Sequence, residues 1–351
     1  MPTGHLDLHP RLLADIGGTH ARFALQTPQG ISPIINLACA DFPAVQDAIQ
    51  EALRRAGAPA VRHAAFAIAN PVLGDAVRMT NHDWAFSITA LRDAMGWETL
   101  LVLNDFTALA LALRELPPDS LRQIGGGAPV PGAAIGLLGA GTGLGVSGLI
   151  PGPNGTWLPL AGEGGHVSFA PFDAREIDLW RYARARFGHV SAERLLSGPG
   201  LQLLHAWLGE IDPHPAAGPS QGGVRPLGGQ RGQRPSAGAV YLPADITARA
   251  LNGSDARCVQ AVDLFCTLLG TVAANLALTL GALGGIFIGG GIVPKLGAAF
   301  ERSGFRARFE DKGRFSDYLA RIPVFVIHHP DPAFLGVAKA LDQHLTSSTL
   351  S

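Results

Sequence analysis

One short pattern occurs twice in this chain, once in each half: an apolar strand, a glycine-rich turn, and a second strand. The first copy is "LLADIGGTHARFAL" (Leu12–Leu25) and the second is "AAIGLLGAGTGLGVSGLI" (Ala133–Ile150). Two such units imply two similar α/β domains facing each other across a cleft, and 351 residues are more than one core normally holds. "RHAAFAIAN" and "TLLVLN" (Thr99–Asn104) are further apolar runs of strand length that end in polar or turn residues, as in a sheet covered on both faces. Helical spacing runs through Phe42, Val45, Ile49, Ala52 and Ala56, with Asp41 as the expected cap and Gly57 as the stop. Helices are also expected over Glu176–Phe187, closed by Gly188, and from Ser191. A last strand at Val324–Ile327 precedes a helix capped by Asp331 and Pro332. Between them, Asp212–Val240 is rich in Pro, Gly, Gln and Arg with almost nothing to bury, and reads as a long surface insertion.

Several classes fall away on composition. With 27 basic and 28 acidic residues the formal charge is −1, so no basic surplus points to nucleic acid. Cys39, Cys258 and Cys266 form no CxxC pair and no zinc-ligand spacing, and suit a reducing cytoplasm as buried apolar fillers. The N-terminal "MPTGHLDLHPRLLADIGG" lacks a basic region followed by a long apolar core, so no signal peptide is expected. Leu264–Val293 is uncharged and long enough to span a bilayer, but Gly281, Gly284, Gly285 and Gly289–Gly291 divide it into a helical half and a strand–turn half. It reads as a buried helix followed by a core strand.

The polar residues gather at strand ends, where ligands of open α/β sheets bind. Asp15 closes a strand, and Gly17, Gly18 and Thr19 follow it. Residues without side chains let backbone N–H groups approach an anion, and Asp15 is placed to hold Mg²⁺ through water; a plain hairpin turn is the competing reading. Asn104 and Asp105 stand between the strand "TLLVLN" and an apolar helix, where either a helix cap or a ligand-facing pair fits. "GAGTGLG" (Gly139–Gly145) again leaves the main chain bare. Its Gly143, Gly145 and Gly148 match the dinucleotide pattern G-x-G-x-x-G, but "VSGLIPG" follows where that fingerprint needs a helix. In "FIGGGIVPKL" three glycines allow a flat group such as a nucleoside to lie on the backbone. "AGEGGHVSFAP" supplies Glu163 and His166, with no matching further ligands for a metal; a polyhydroxyl partner suits them better. Glu193 opens a helix, where a dipole-favoured surface acid is the plain alternative.

In order along the chain, "DIGGT", "TNHDWAFS", "LNDFTA", "GAGTGLG", "GEGGH", "GHVSAERLLSGPG", "GGIFIGGGIVP" and "FEDKGRF" resemble the zinc-free bacterial glucokinase family from about Leu12 to Leu341, outside the insertion. The resemblance implies an α/β fold of two actin-like, ribonuclease-H-like domains flanking an interdomain cleft. The smaller domain would take residues 1–115 and 329–351, the larger 116–328. It implies transfer of the γ-phosphoryl group of ATP to the C6 hydroxyl of glucose, with Mg²⁺, in a cytoplasmic homodimer that binds neither nucleic acid nor membrane. Carried over by position, Asp105 would be the catalytic base, and Asn104, Asp105, Glu163, His166 and Glu193 would hold the sugar. Ala14, Asp15, Ile16, Gly17, Gly18 and Thr19 would form one ATP loop; Gly139, Gly141, Thr142 and Gly143 a second; and Gly290 and Gly291 a third contact. Ala14 and His20 depart from the family pattern, where Gly and Asn are common. Two rivals remain: a kinase for another acceptor, disfavoured for acyl groups because no arginine clamp is visible, and a non-catalytic sugar sensor. A sensor of that type would be expected to carry a DNA-binding helix-turn-helix ahead of the first strand, where only about ten residues stand.

Overall fold

A computed structural model describes residues 9–57, 59–79, 82–211 and 241–348. The Asp212–Val240 insertion lies outside the described residues, as do Thr80 and Asn81 of "TNHDWAFS". The first sheet is built from β1 (Arg11–Ile16), β2 (His20–Thr27), β3 (Gly30–Ile31), β4 (Ile35–Ala38), β5 (His63–Ile68) and β8 (Thr99–Asn104), with β6 (Ala76–Arg78) and β7 (Ala85–Ser87) as a separate hairpin. Its order is β3-β2-β1-β5-β8, and β4 also pairs with β2. The hairpin β1–β2 is antiparallel, whereas β1, β5 and β8 run parallel. Every residue of β5 is buried, as a central parallel strand covered on both faces requires.

The second sheet repeats the plan with β9 (Leu121–Ile124), β10 (Ile135–Ala140), β11 (Leu144–Pro151), β12 (Trp157–Pro159), β13 (Ile286–Gly289) and β14 (Val324–Ile327), in the order β12-β11-β10-β13-β14-β9. Strands β10, β13 and β14 are parallel. That β11 follows the glycine turn as a strand removes the dinucleotide reading, which needs a helix there. The recurrence of one topology around two glycine turns, in a mixed α/β chain, is the actin-like architecture.

Compactness divides the chain into two units. One comprises the residues up to Arg122, Ser147–Gly162 and those from His328 onward; the other comprises Gln123–Val146 and Glu163–Ile327. Relative to the sequence-based limits, residues 116–122, Ser147–Gly162 and His328 go with the first unit. Within it, Arg114 lies 4.6 Å above the Trp157 ring.

The helices follow their sequence signals with two adjustments. Helix Val45–Arg55 starts after Asp41, because Cys39–Asp41 forms its own short 3₁₀ turn. Asp47 takes over the end: its carboxylate accepts from the Ala44 N–H, leaving Gly57 at φ 87° to stop the helix. Helix Ala174–Phe187 begins two residues before Glu176, since Asp173 accepts from the Glu176 N–H. The long apolar helix Ala256–Leu280 has two-thirds (67%) of its most hydrophobic window buried, so it is a core helix, ended by Gly281 in the left-handed region. Its Leu268, Leu269 and Ala273 belong to the second unit's core together with Phe305 and Phe309.

Candidate active site

In the first unit the register of three parallel strands sets the site. Ile16 pairs with Ile68, and Ile68 with Asn104, so β1, β5 and β8 end at one level. Residues that follow those ends share one edge: Gly17–Thr19 after β1, Ala69 after β5 and Asp105 after β8. They line a pocket of about 440 Å³ together with Asp15, His20, Arg22 and Asn36.

The glycine turn is closed by the Gly17 N–H donating to the His20 carbonyl at 2.9 Å, and fastened by the Cys39 N–H donating to Thr19 O at 2.9 Å. Neither Gly17 nor Gly18 has a positive φ. Glycine here supplies bare backbone rather than an unusual conformation, which is what close approach of an anion uses.

Asn104 is the cap of helix Asp105–Ala112. Its Oδ1 accepts from the Phe106 N–H at 2.9 Å and the Thr107 N–H at 3.2 Å. Its Nδ2 donates to Asn70 O at 3.3 Å and to Asp105 Oδ1 at 3.0 Å. All four hydrogen-bonding positions of the amide are thus engaged within the chain. Capping and chemistry are one arrangement here, since the capping residue also grips the carboxylate beside it.

Burial pushes Asp105 up to about 6, reinforced by the charge of Asp15 and opposed by hydrogen bonds from the Phe106 N–H and Asn104. A carboxylate with that affinity is ionised at neutral pH yet a better proton acceptor than an ordinary aspartate, whose reference value is about 3.9. Asp15 is also raised by burial, which the Arg22 guanidinium opposes and Asp331 reinforces. Arg22 bridges the two acids, pairing with Asp15 Oδ2 and, at 2.8 Å, with Asp331 Oδ1. Neither Arg22 nor Asp331 carries a sequence signal for this role; the pairing of Asp15 with Arg22 across the hairpin is the one clue, and it needs the register. Asp15 keeps its second oxygen for another partner. One semi-buried carboxylate beside a bare glycine turn is a donor set that suits a hydrated Mg²⁺.

In the second unit, the turn after β10 is tied by the Gly141 N–H donating to Gly143 O at 2.8 Å and the Gly198 N–H donating to Gly141 O at 2.8 Å. Gly141, Thr142 and Gly291 line a pocket of about 590 Å³. Its other walls are mainly apolar, from Gly198–Pro199 and helix Pro243–Leu251, with Lys295 at one side. These walls escaped the sequence reading because they come from segments far apart in the chain. Gly139 and Gly290 occupy a different place: a Cβ on Gly139 would stand 2.8 Å from the Gly289 carbonyl carbon, and one on Gly290 2.4 Å from Ala140 O. They let β10 and the end of β13 pack, and are not among the residues lining the pocket.

Glu163 and His166 flank Gly164 and Gly165, and a Cβ on Gly165 would lie 1.9 Å from Leu144 O. The glycines press the loop onto β11 and leave Glu163 and His166 exposed. Glu193 lies between turn and loop: its Oε2 accepts from the Leu144 N–H at 2.9 Å, and its Oε1 stands 3.8 Å from His166 Nδ1. Thus Glu193 and His166 meet, and Asn104, Asp105 and Asp15 meet in the other unit.

The model of the glucokinase family matches residues 12–344. The chain is 55% identical over 346 residues to a glucokinase of Chromobacterium violaceum, covering 98% of this chain and 93% of that one. It is 52% identical to a glucokinase of Ralstonia nicotianae, covering 97% of each. Among solved structures, a glucokinase from an Antarctic psychrotroph superposes with a TM-score of 0.81 at 31% identity, covering 95% of this chain and 99% of that one. With the match running almost end to end and taking in both glycine turns and both acidic clusters, this chain belongs to the glucokinase family.

Proposed function

We propose that this protein phosphorylates glucose at its C6 hydroxyl with ATP, giving glucose 6-phosphate and ADP. The observation that carries the reading is Asp105, a carboxylate raised to about 6 at the edge where β1, β5 and β8 end, beside the bare Gly17–Thr19 turn, in a chain of this family.

Phosphoryl transfer has a loose transition state and asks the protein mainly for alignment and charge neutralisation. In this reading, Asp105 accepts the proton of the attacking hydroxyl, a contribution of about 10²–10⁴-fold. Asn104 keeps that carboxylate in one orientation. By the family resemblance, Glu163, His166 and Glu193 of the second unit would be the residues for other sugar hydroxyls. Taken separately, the Gly17–Thr19 turn of the first unit and the Gly141–Gly143 turn of the second, beyond the Gly17 and Gly141 N–H groups that close them, each present bare main chain suited to an anion, and the apolar pocket beside Gly291 suits an adenine. Asp15 would hold Mg²⁺ through water, and the ion would supply neutralisation of the phosphate charge. Work in the cytoplasm as a homodimer feeding glycolysis is the expectation that the family resemblance carries; light scattering on the purified chain tests the dimer.

The test of the whole reading is purified protein with ATP, Mg²⁺ and a panel of hexoses. Glucose 6-phosphate with stoichiometric ADP is the expected result. Turnover of mannose or an amino sugar in preference to glucose, or ADP release without a sugar product, would overturn it.

A further inference from the structure

We propose that the second unit carries a site for one transition-metal ion of the zinc class, held by His205, Asp255 and Cys258. A ring nitrogen of His205, a carboxylate oxygen of Asp255 and the Cys258 sulfur lie within 4.8 Å of one another, the only such grouping of three among the described residues. The three come from two places: His205 from helix Gly198–Ile211, Asp255 and Cys258 from the start of helix Ala256–Leu280. A tetrahedral ion with bonds of about 2.0–2.3 Å holds its donors roughly 3.3–3.8 Å apart, so small side-chain adjustments suffice. Imidazole, thiolate and carboxylate together select zinc, cobalt or nickel over Mg²⁺, and three protein ligands leave one position for water.

A second observation points the same way. His205 Nε2 is buried and has no hydrogen-bond partner. Buried polar atoms are nearly always satisfied, so the unpartnered Nε2 leaves the His205 ring with capacity for one more partner. The His205 ring lies against the Tyr241 ring, 5.3 Å away between centroids. Asp255 caps its helix through Oδ1, which accepts from the Arg257 N–H at 2.9 Å and the Cys258 N–H at 3.1 Å, and its carboxylate also accepts from the Cys258 thiol, so two of the three donors already face one another.

Binding forms the metal–sulfur bond as the Cys258 thiol gives up its proton to solvent. This site is separate from the sugar and nucleotide residues above, and stands or falls independently of them.

Cobalt(II) alone is the probe, added to the full chain without ATP, which would chelate it. The expected result is one equivalent bound, with a thiolate-to-cobalt charge-transfer band and release of about one proton, read as a buffer-dependent binding enthalpy. Cys258→Ser and His205→Ala each abolish the band and weaken binding at least 100-fold, since even outer-shell losses cost about 10–100-fold. Cys266→Ala keeps both. Absence of the band in the parent chain, or its survival in Cys258→Ser, would overturn the proposal. Should Cys258→Ser fail to fold, His205→Ala gives the same reading without touching a cysteine.

Discussion

Asn104 Nδ2 donates to Asp105 Oδ1 at 3.0 Å, while Asn104 Oδ1 accepts from the two main-chain N–H groups that follow Asp105. Consecutive residues rarely face one another, but a cap residue lies outside the helix it caps, and this one turns back onto the first helical side chain. Helix capping therefore fixes the orientation of the proposed base. Asn104→Ala is expected to cost about 0.5–2 kcal/mol of stability for the lost cap. It also removes a bond that lowers Asp105, so the acidic limb of the pH–rate profile moves to higher pH. Asn104→Ser, which restores a capping oxygen but no Nδ2, is expected to recover the stability and not the profile. Recovery of both would show that Asn104 acts on the helix alone.

The raised Asp105 makes a direct pH prediction. A general base works ionised, so kcat/KM for glucose rises with pH and is half-maximal near 6, where Asp105 loses its proton. Asp105→Asn is expected to lose about 10²–10⁴-fold in kcat. The same substitution removes a buried charge, so the variant is at least as stable as the parent above pH 6. The sign follows from linkage: a carboxyl raised on folding weakens the folded state when ionised, and that penalty fades as pH falls through 6. Parental turnover in Asp105→Asn is the result that sinks the mechanism.

A glycine at the end of β10 and one in the turn after it separate packing from binding. Gly139→Ala puts a methyl 2.8 Å from the Gly289 carbonyl carbon and 2.9 Å from the Gly290 nitrogen, where only backbone could yield. Destabilisation of about 1–3 kcal/mol is expected, read as a lowered Tm. At Gly141 the nearest atom to the new methyl is the Gly291 nitrogen at 3.9 Å, so Gly141→Ala folds normally. It narrows the bare backbone that the phosphates would approach, and KM for ATP rises with little change in Tm. Equal Tm losses in the two variants would refute the division.

Gly143 packs against the carboxylate of Glu193. A Cβ there would lie 2.4 Å from Glu193 Oε2, the oxygen that accepts from the Leu144 N–H. Gly143→Ala therefore displaces Glu193, and with it the neighbour of His166. Loss of a hydrogen bond from a charged group is worth about 1.5–3 kcal/mol, or roughly 10- to 100-fold. The expected rise of that size is in KM for glucose, matching Glu193→Gln, and KM for ATP changes less. A Gly143→Ala variant defective only toward ATP would show that Glu193 accommodates the methyl.

The amino-acid sequence by itself determined the architecture. The doubled strand–turn–strand pattern dictated two sheets of one topology, "TLLVLN" coincided with β8 and Val324–Ile327 with β14, and the glycine caps stopped their helices. Those signals are local: apolar periodicity and residues with special backbone freedom act within a few positions. Only the tertiary structure decided which groups meet. Arg22 joins Asp15 to Asp331 across more than three hundred residues, Glu193 reaches the backbone of Leu144, and His205 approaches Cys258 with no recognisable ligand spacing. It also sorted the glycines, since bare backbone at Gly141 and strand packing at Gly139 have one spelling. The physical reason is that burial and charge raise Asp105 through neighbours placed by sheet register and long-range packing, and neither is encoded at the position itself.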